Sequence, residues 1–199
     1  MKSKNYMYKI VIIKGSVRPK NNTTKAVRIV ENELYNSGKA EVHIVDPGDF
    51  NLPLPGLDTN ITTVRDLKRI VSDATGIILV TPEYHGSFSS VIKLVIDNLG
   101  FPSALKGKPV SLLGVASGRI GAIKALEGLR SVCSHVGALV LPGSVSIAQI
   151  HTWFDENGKC TDPLVEKQIR STAVNLLDYI VDHICPKMNL EEMVRAGAA

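Results

Sequence analysis

Short, nearly unbroken apolar runs alternate along this chain with longer stretches in which apolar residues return every three or four positions. The runs are rich in β-branched residues, as strands buried on both faces are, and the longer stretches have the period of helices with one apolar face. Residues 8–13 predict the first strand. A polar loop over 14–22 follows, then a helix over 23–37 with Ala26, Ile29, Val30 and Leu34 on one face and Gly38 as its stop. Residues 41–45 alternate as a second strand, and 46–60 form a Pro/Gly/Asp-rich connection. A helix over 61–74 would bury Val64, Leu67, Ile70 and Val71. Residues 76–80 are the most uniformly apolar run and predict a central third strand. Helix 87–99, strand 109–115, helix 122–136 and strand 138–141 continue the alternation. A last helix over 163–184 carries Ile169, Ala173, Leu176, Ile180 and Ile184 at helical spacing, and Pro186 ends it.

Five such strands separated by helices predict an α/β fold, a parallel sheet covered on both faces. In open sheets of this kind ligands sit beyond the carboxyl ends of the strands, where the strand order reverses. The loops after strands one, three and four are therefore the places to look for function.

Length and composition narrow the setting. A chain of 199 residues suits one domain over 1–199, with 187–199 as a loose C-terminal tail. Cys133, Cys160 and Cys185 lie far apart without metal-ligand spacing, which predicts reduced thiols, no metal site and a cytoplasmic setting. The lysines near the start precede an apolar run of only four residues, 10–13, too short for a secretory core. No run approaches the roughly 20 apolar residues of a spanning helix, so no membrane insertion is expected. The formal charge of +4 is scattered among acids, without a basic stripe interleaved with aromatics, so no nucleic-acid partner is expected. A mildly basic balance suits small anionic ligands.

The first loop reads Gly15-Ser16-Val17-Arg18-Pro19-Lys20-Asn21-Asn22-Thr23-Thr24. It combines a tight-turn glycine, the hydroxyls of Ser16, Thr23 and Thr24, and the planar donor fork of Arg18. The helix it opens directs free N–H groups and a positive dipole end into it. That is either a terminal-phosphate cradle or an ordinary capped turn; neither GxxxxGK[ST] nor GxGxxG is present. The third-strand loop reads Thr81-Pro82-Glu83-Tyr84-His85-Gly86-Ser87-Phe88. Gly86 would let backbone approach a flat ligand, Tyr84 could lie against a ring, and Ser87 could cap the next helix. His85 is open to two readings, a solvated loop histidine or a base. The fourth-strand loop, Ser117-Gly118-Arg119-Ile120-Gly121, could turn backbone N–H groups and the Arg119 cation toward a carbonyl-rich ligand.

Together the three loops resemble the NADPH-dependent FMN reductase family over roughly residues 9–140. Gly15, Ser16 and Arg18 match its G-S-x-R signature. Pro82, Glu83, Tyr84, Gly86 and Ser87 match its P-E-Y-N-G-S segment, which runs into a similar helix with Lys93 and Asp97. Ser117, Gly118 and Arg119 resemble its Gly-rich loop. His85 stands where the family has Asn. Of the residues able to replace its Ser after the Arg, the threonines are favoured over Asn21 and Asn22. The resemblance implies a flavodoxin-like three-layer sandwich with a five-stranded parallel sheet in the order 2-1-3-4-5. It implies FMN, with its phosphate at Ser16, Arg18, Thr23 and Thr24 and its ring between Pro82, Glu83, Tyr84, His85 and Gly86 on one side and Ser117, Gly118 and Arg119 on the other. NADPH or NADH would be the reductant. A quinone, flavin, azo compound or metal oxyanion would be the small-molecule acceptor. The flavin carries the chemistry, so no catalytic side chain is required.

Three other classes remain possible on the sequence, one of them a flavin-less interaction or regulatory domain, which a colourless protein that FMN cannot reconstitute would support. A flavodoxin-type electron carrier would bind FMN without turning over a small substrate, but such carriers are usually acidic with a hydroxyl-rich phosphate loop. A hydrolase would need a nucleophile elbow, and Gly86-Ser87-Phe88-Ser89-Ser90 lacks the G-x-S-x-G spacing. On a wheel of about 100° per residue, helix 87–99 is apolar over roughly 200°, more than a sheet face covers. That excess predicts a homodimer or a tetramer.

Overall fold

The computed structural model describes residues 7–57 and 61–186. Strand β1 (Tyr8–Lys14) leads to helix α1 (Asn22–Asn36), β2 (Ala40–Val45), α2 (Thr62–Asp73) and β3 (Gly76–Tyr84). A two-residue strand β4 (Ser87–Phe88) precedes α3 (Ser90–Asn98), β5 (Pro109–Val115) and α4 (Ile123–His135). Two short strands, β6 (Leu139–Val140) and β7 (Val145–Ile147), and the long helix α5 (Pro163–Tyr179) complete the set. A π-helical turn, Ile180–Ile184, extends α5 as the periodicity predicted. The expected tail at 187–199 lies outside the described residues.

β1, β2, β3 and β5 pair in parallel, and β3 sits between β1 and β5, the central place its apolar run predicted. The order across the sheet is β2-β1-β3-β5-β6. This is the flavodoxin-like arrangement, with numbering shifted from 2-1-3-4-5 by the insertion of β4. The fifth position is not one strand over 138–141. β6 pairs with Pro109 and Val110, and β7 pairs with the far end of β5, from Leu113 to Val115. Pro142 lacks a donor and Gly143 turns at φ 75, which breaks the ladder between them.

Strand alternation sorts the core. Ile10, Ile12, Ile78, Val80, Leu113 and Val115 face α1 and α5. Val11, Ile13, Ile77, Leu79, Val110 and Leu112 face α2, α3 and α4. At about 1.5–3 kcal/mol for each fully buried aliphatic side chain, these two clusters dominate stability and fix the strand ends on which the loops stand. Cys133 lies in the second cluster with no exposure, and burial pushes its thiol up to about 12. None of the three cysteines is in a disulfide. Among the described residues no helix is long and apolar enough to cross a membrane.

Candidate functional site

β1 delivers Gly15 against β3. The Gly15 N–H donates to the Val80 carbonyl at 2.7 Å, and a Cβ on Gly15 would stand 2.6 Å from that same oxygen. Only glycine allows the loop to leave the sheet this close to the next strand. Ser16 is buried, and its Oγ accepts from the Arg18 N–H at 3.4 Å. The chain then turns through exposed residues, with Lys20 at φ 50, into α1.

Asn21, not a threonine, caps that helix. Its side-chain oxygen accepts from the Thr24 N–H at 2.7 Å and the Thr24 hydroxyl at 3.1 Å, and its Nδ2 donates to the Arg18 carbonyl at 2.5 Å. The two threonines favoured for the phosphate stand differently. Thr23 is buried and lines the cavity described below, whereas the Thr24 hydroxyl is engaged by Asn21. The N–H groups of Asn22 and Thr23, at the start of α1, have no acceptor one turn earlier in the helix.

The third-strand loop is a β-hairpin rather than a helix start. β3 runs on to Tyr84, and β4 returns antiparallel with Glu83 opposite Phe88 and Tyr84 opposite Ser87. Two residues connect them, His85 at φ 51 and Gly86 at φ 72. Positive φ at both central positions is the requirement of the type I′ turn, for which Asn-Gly is the preferred pair. His85 therefore occupies a backbone seat that favours Asn for conformational reasons alone. His85→Asn is expected to stabilise the protein by about 0.5–1 kcal/mol, part of the roughly 1–2 kcal/mol that left-handed backbone costs a non-glycine residue. A urea midpoint that stays put or falls would contradict this.

The hairpin corrects two further expectations. Ser87 is exposed and caps nothing; Ser89 is the cap, accepting from the Ile92 N–H at 3.2 Å. Phe88 points toward α4, where its ring would lie 3.2 Å from a Cβ on Gly128. Thr81 ties the turn together from beneath: its hydroxyl donates to the Pro82 carbonyl at 2.9 Å and accepts from the Ser89 N–H at 3.1 Å. The Glu83 carboxylate reaches across to α4 and accepts from the Ala125 N–H at 3.0 Å. Placed at a helix N-terminus, it couples the third-strand loop to the fourth.

In the fourth-strand loop Gly121 is required by its own chain. Its φ is 79, and any Cβ would collide with Ser146 Oγ, which accepts from the Ala122 N–H at 2.8 Å. Gly118 differs, because among the described residues nothing beyond its chain neighbours lies within 4 Å of where its Cβ would be. Its carbonyl is held by the Gln149 N–H at 3.1 Å, while its α-carbon faces open space. Arg119 is exposed.

These loops meet around a cavity of about 200 Å³ at the carboxyl ends of β1, β3 and β5. Of the residues singled out in the sequence, Arg18, Thr23, Pro82, Glu83, Tyr84 and Ser117 line it. Ser16, Thr24, His85, Gly86, Gly118 and Arg119 do not. The Arg18 guanidinium stacks 4.7 Å above the Tyr84 ring, so the first and third loops touch directly. Pro19, Val115, Ala116 and Ile150 complete the lining with Asn21 and Asn22. Ile150 was not anticipated. It arrives because the segment after β7 folds back, the Ile150 N–H donating to the Ala116 carbonyl at 2.9 Å. No local pattern signals a contact with a strand end more than thirty positions earlier in the chain.

The chain is similar to known proteins over most of its length. Residues 8–152 match the family model described as NADPH-dependent FMN reductase. An NADPH azoreductase of Bacillus sp. (strain OY1-2) is 30% identical over 175 residues, 86% of this chain and 94% of the relative. An FMN-dependent NADPH-azoreductase of Staphylococcus aureus is 29% identical over 181 residues, 87% and 94% of the two chains. Among solved structures, the flavoenzyme NAD(P)H:(acceptor) oxidoreductase FerB of Paracoccus denitrificans superposes with a TM-score of 0.77. It is 25% identical, with 89% of this chain and 99% of that one covered.

Proposed function

The chain belongs to the NADPH-dependent FMN reductase family, and on that premise we propose that the cavity at the strand ends is where it holds FMN. It is an FMN-dependent NAD(P)H oxidoreductase; when bound, FMN supplies the chemistry, taking hydride from the nicotinamide and returning electrons to a small acceptor. The electron-carrier alternative is not favoured, since the family and its relatives are reductases.

The residues present fit that group. Arg18 offers a planar fork, Asn22 and Thr23 offer N–H groups at the positive end of α1, and Thr23 offers a hydroxyl, the donor set a phosphate monoester needs. Pro82, Glu83 and Tyr84 present backbone and an aromatic ring on one side of the cavity. Ser117 borders the other. A cavity of about 200 Å³ encloses part of a flavin mononucleotide and leaves the remainder at the surface, where a second substrate can reach it. The observation that carries the assignment is the meeting of Arg18, the first turn of α1, Pro82–Tyr84 and Ser117 around one cavity.

Azo compounds and quinones are the acceptors we favour, because the curated relatives are azoreductases. Protein reconstituted with FMN should oxidise NADPH with an azo dye or a quinone and no partner reductase. FMN-loaded protein that turns over neither would refute the acceptor assignment. We place the protein in the cytoplasm as a homodimer. α3 is shorter than expected, with Phe88 outside it, yet Val91 and Leu94 remain half-exposed and share a surface depression with Pro55 and with Leu54, which is 64% exposed. That apolar ground suits a second copy of the chain. Light scattering at low micromolar concentration should give twice the chain mass or a higher multiple; the mass of one chain would contradict the dimer.

A further inference from the structure

A second depression, of about 620 Å³, lies on the outer side of the first loop. Arg18, Pro19 and Asn21 line both it and the flavin cavity, so the two adjoin across the first loop. Its walls carry Lys14, Arg18, Lys20, Lys25 and Arg28 against one acid, Glu156. Lys14 is already paired with Asp46, and Arg18 serves the flavin side. Lys20, Lys25 and Arg28 remain, and among the described residues none of them has an ion-pair partner. For a chain whose net charge is +4, three uncompensated cations in one groove make a local anion trap.

The groove is also shaped. The Lys25 ammonium stands 5.3 Å over the Phe154 ring, and its stem runs along Gly158, whose φ of 79 shapes the tip of a tight turn. That turn is held by paired bonds between Asp155 and Lys159, the Asp155 N–H donating to the Lys159 carbonyl at 3.0 Å and the Lys159 N–H to the Asp155 carboxylate at 2.8 Å. Lys20 is held at φ 50, a conformation that costs a non-glycine residue energy and is found at ligand clamps. The wall made by Glu156, Asn157 and Gly158 lies beyond residue 152, where the match to the family model ends.

We propose that this groove receives the 2′-phosphate of NADPH and makes the enzyme prefer NADPH to NADH. The proposal rests on the reductase reading above. The two reductants differ only in that phosphate, a dianionic ester far from the nicotinamide, and an unpaired Lys/Arg cluster next to the flavin cavity is the chemistry that distinguishes them.

The test uses FMN-loaded protein and calorimetric titration with 2′,5′-ADP and with 5′-AMP, which lacks the 2′-phosphate. The wild type should bind 2′,5′-ADP at least tenfold more tightly. In K25Q/R28Q that preference should disappear, and in steady state the ratio of KM for NADPH to KM for NADH should rise at least tenfold, with kcat moving far less. FMN titration of the variant, read separately, should stay within about twofold of wild type. Equal binding of the two nucleotides to the wild type, or a preference that survives in the variant, would overturn the groove. Flavin reduced by both nucleotides with equal KM would overturn the groove alone. Flavin reduced by neither would overturn the reductase reading itself.

Discussion

Gly15→Ala is expected to lower folding stability by about 3 kcal/mol and to abolish retention of FMN. The added Cβ would stand 2.6 Å from the Val80 carbonyl, 2.7 Å from Ile92 Cγ1 and 3.0 Å from Thr81 Cα. Two of these are backbone atoms of the central strand, and the third belongs to a side chain with no exposed surface. None can yield cheaply, so β1 must shift from β3, and the cost falls at the upper end of the usual range for overpacking a core. The same shift breaks the 2.7 Å bond from the Gly15 N–H and carries Ser16 and Arg18 away from the cavity. Thermal unfolding and flavin content of the purified variant read both effects. A variant that keeps wild-type Tm and remains yellow would contradict the close approach.

Arg18→Ala should act in the opposite way, weakening the ligand while sparing the fold. The side chain is exposed, and its contact is the stack on Tyr84. Removing it should leave Tm nearly unchanged and weaken FMN by about 1.5–3 kcal/mol, roughly 10- to 150-fold in Kd, the scale of a lost charged hydrogen bond. Arg18→Lys keeps the charge but not the planar fork, so it should recover only part of the loss. An unaltered FMN titration for Arg18→Ala would remove Arg18 from the phosphate site.

Much of this was legible because burial on both faces leaves a plain mark. The uniform apolarity of residues 76–80 announced the central strand, and helical spacing placed α1, α2 and α5 close to where they lie. The three loops were legible as loops because Gly and Pro punctuate them. What failed were features decided by backbone geometry or distant contacts. Phe88 continues the apolar period of α3, so periodicity alone assigned it to the helix. Only the pair of positive φ angles at His85 and Gly86 shows that the chain turns back first. Asn21 and Thr23 are both good caps, and the choice between them depends on Asn21 also reaching the Arg18 carbonyl. The split of the last sheet position follows from Pro142 and Gly143 and from the return of Ile147 and Ile150 onto Ala116, pairings no local pattern encodes. The outer groove draws its cations from the first loop and α1 and its far wall from residues 156–158, well over a hundred positions later.

The most direct measurement is an anaerobic half-reaction. FMN-loaded protein mixed with excess NADPH under argon should lose the yellow flavin absorbance, and adding a quinone should restore it without any other protein. Full bleaching followed by recovery is the result this structure and family predict. FMN-loaded protein that stays yellow with both NADPH and NADH would contradict the reductase assignment and put the electron carrier in its place.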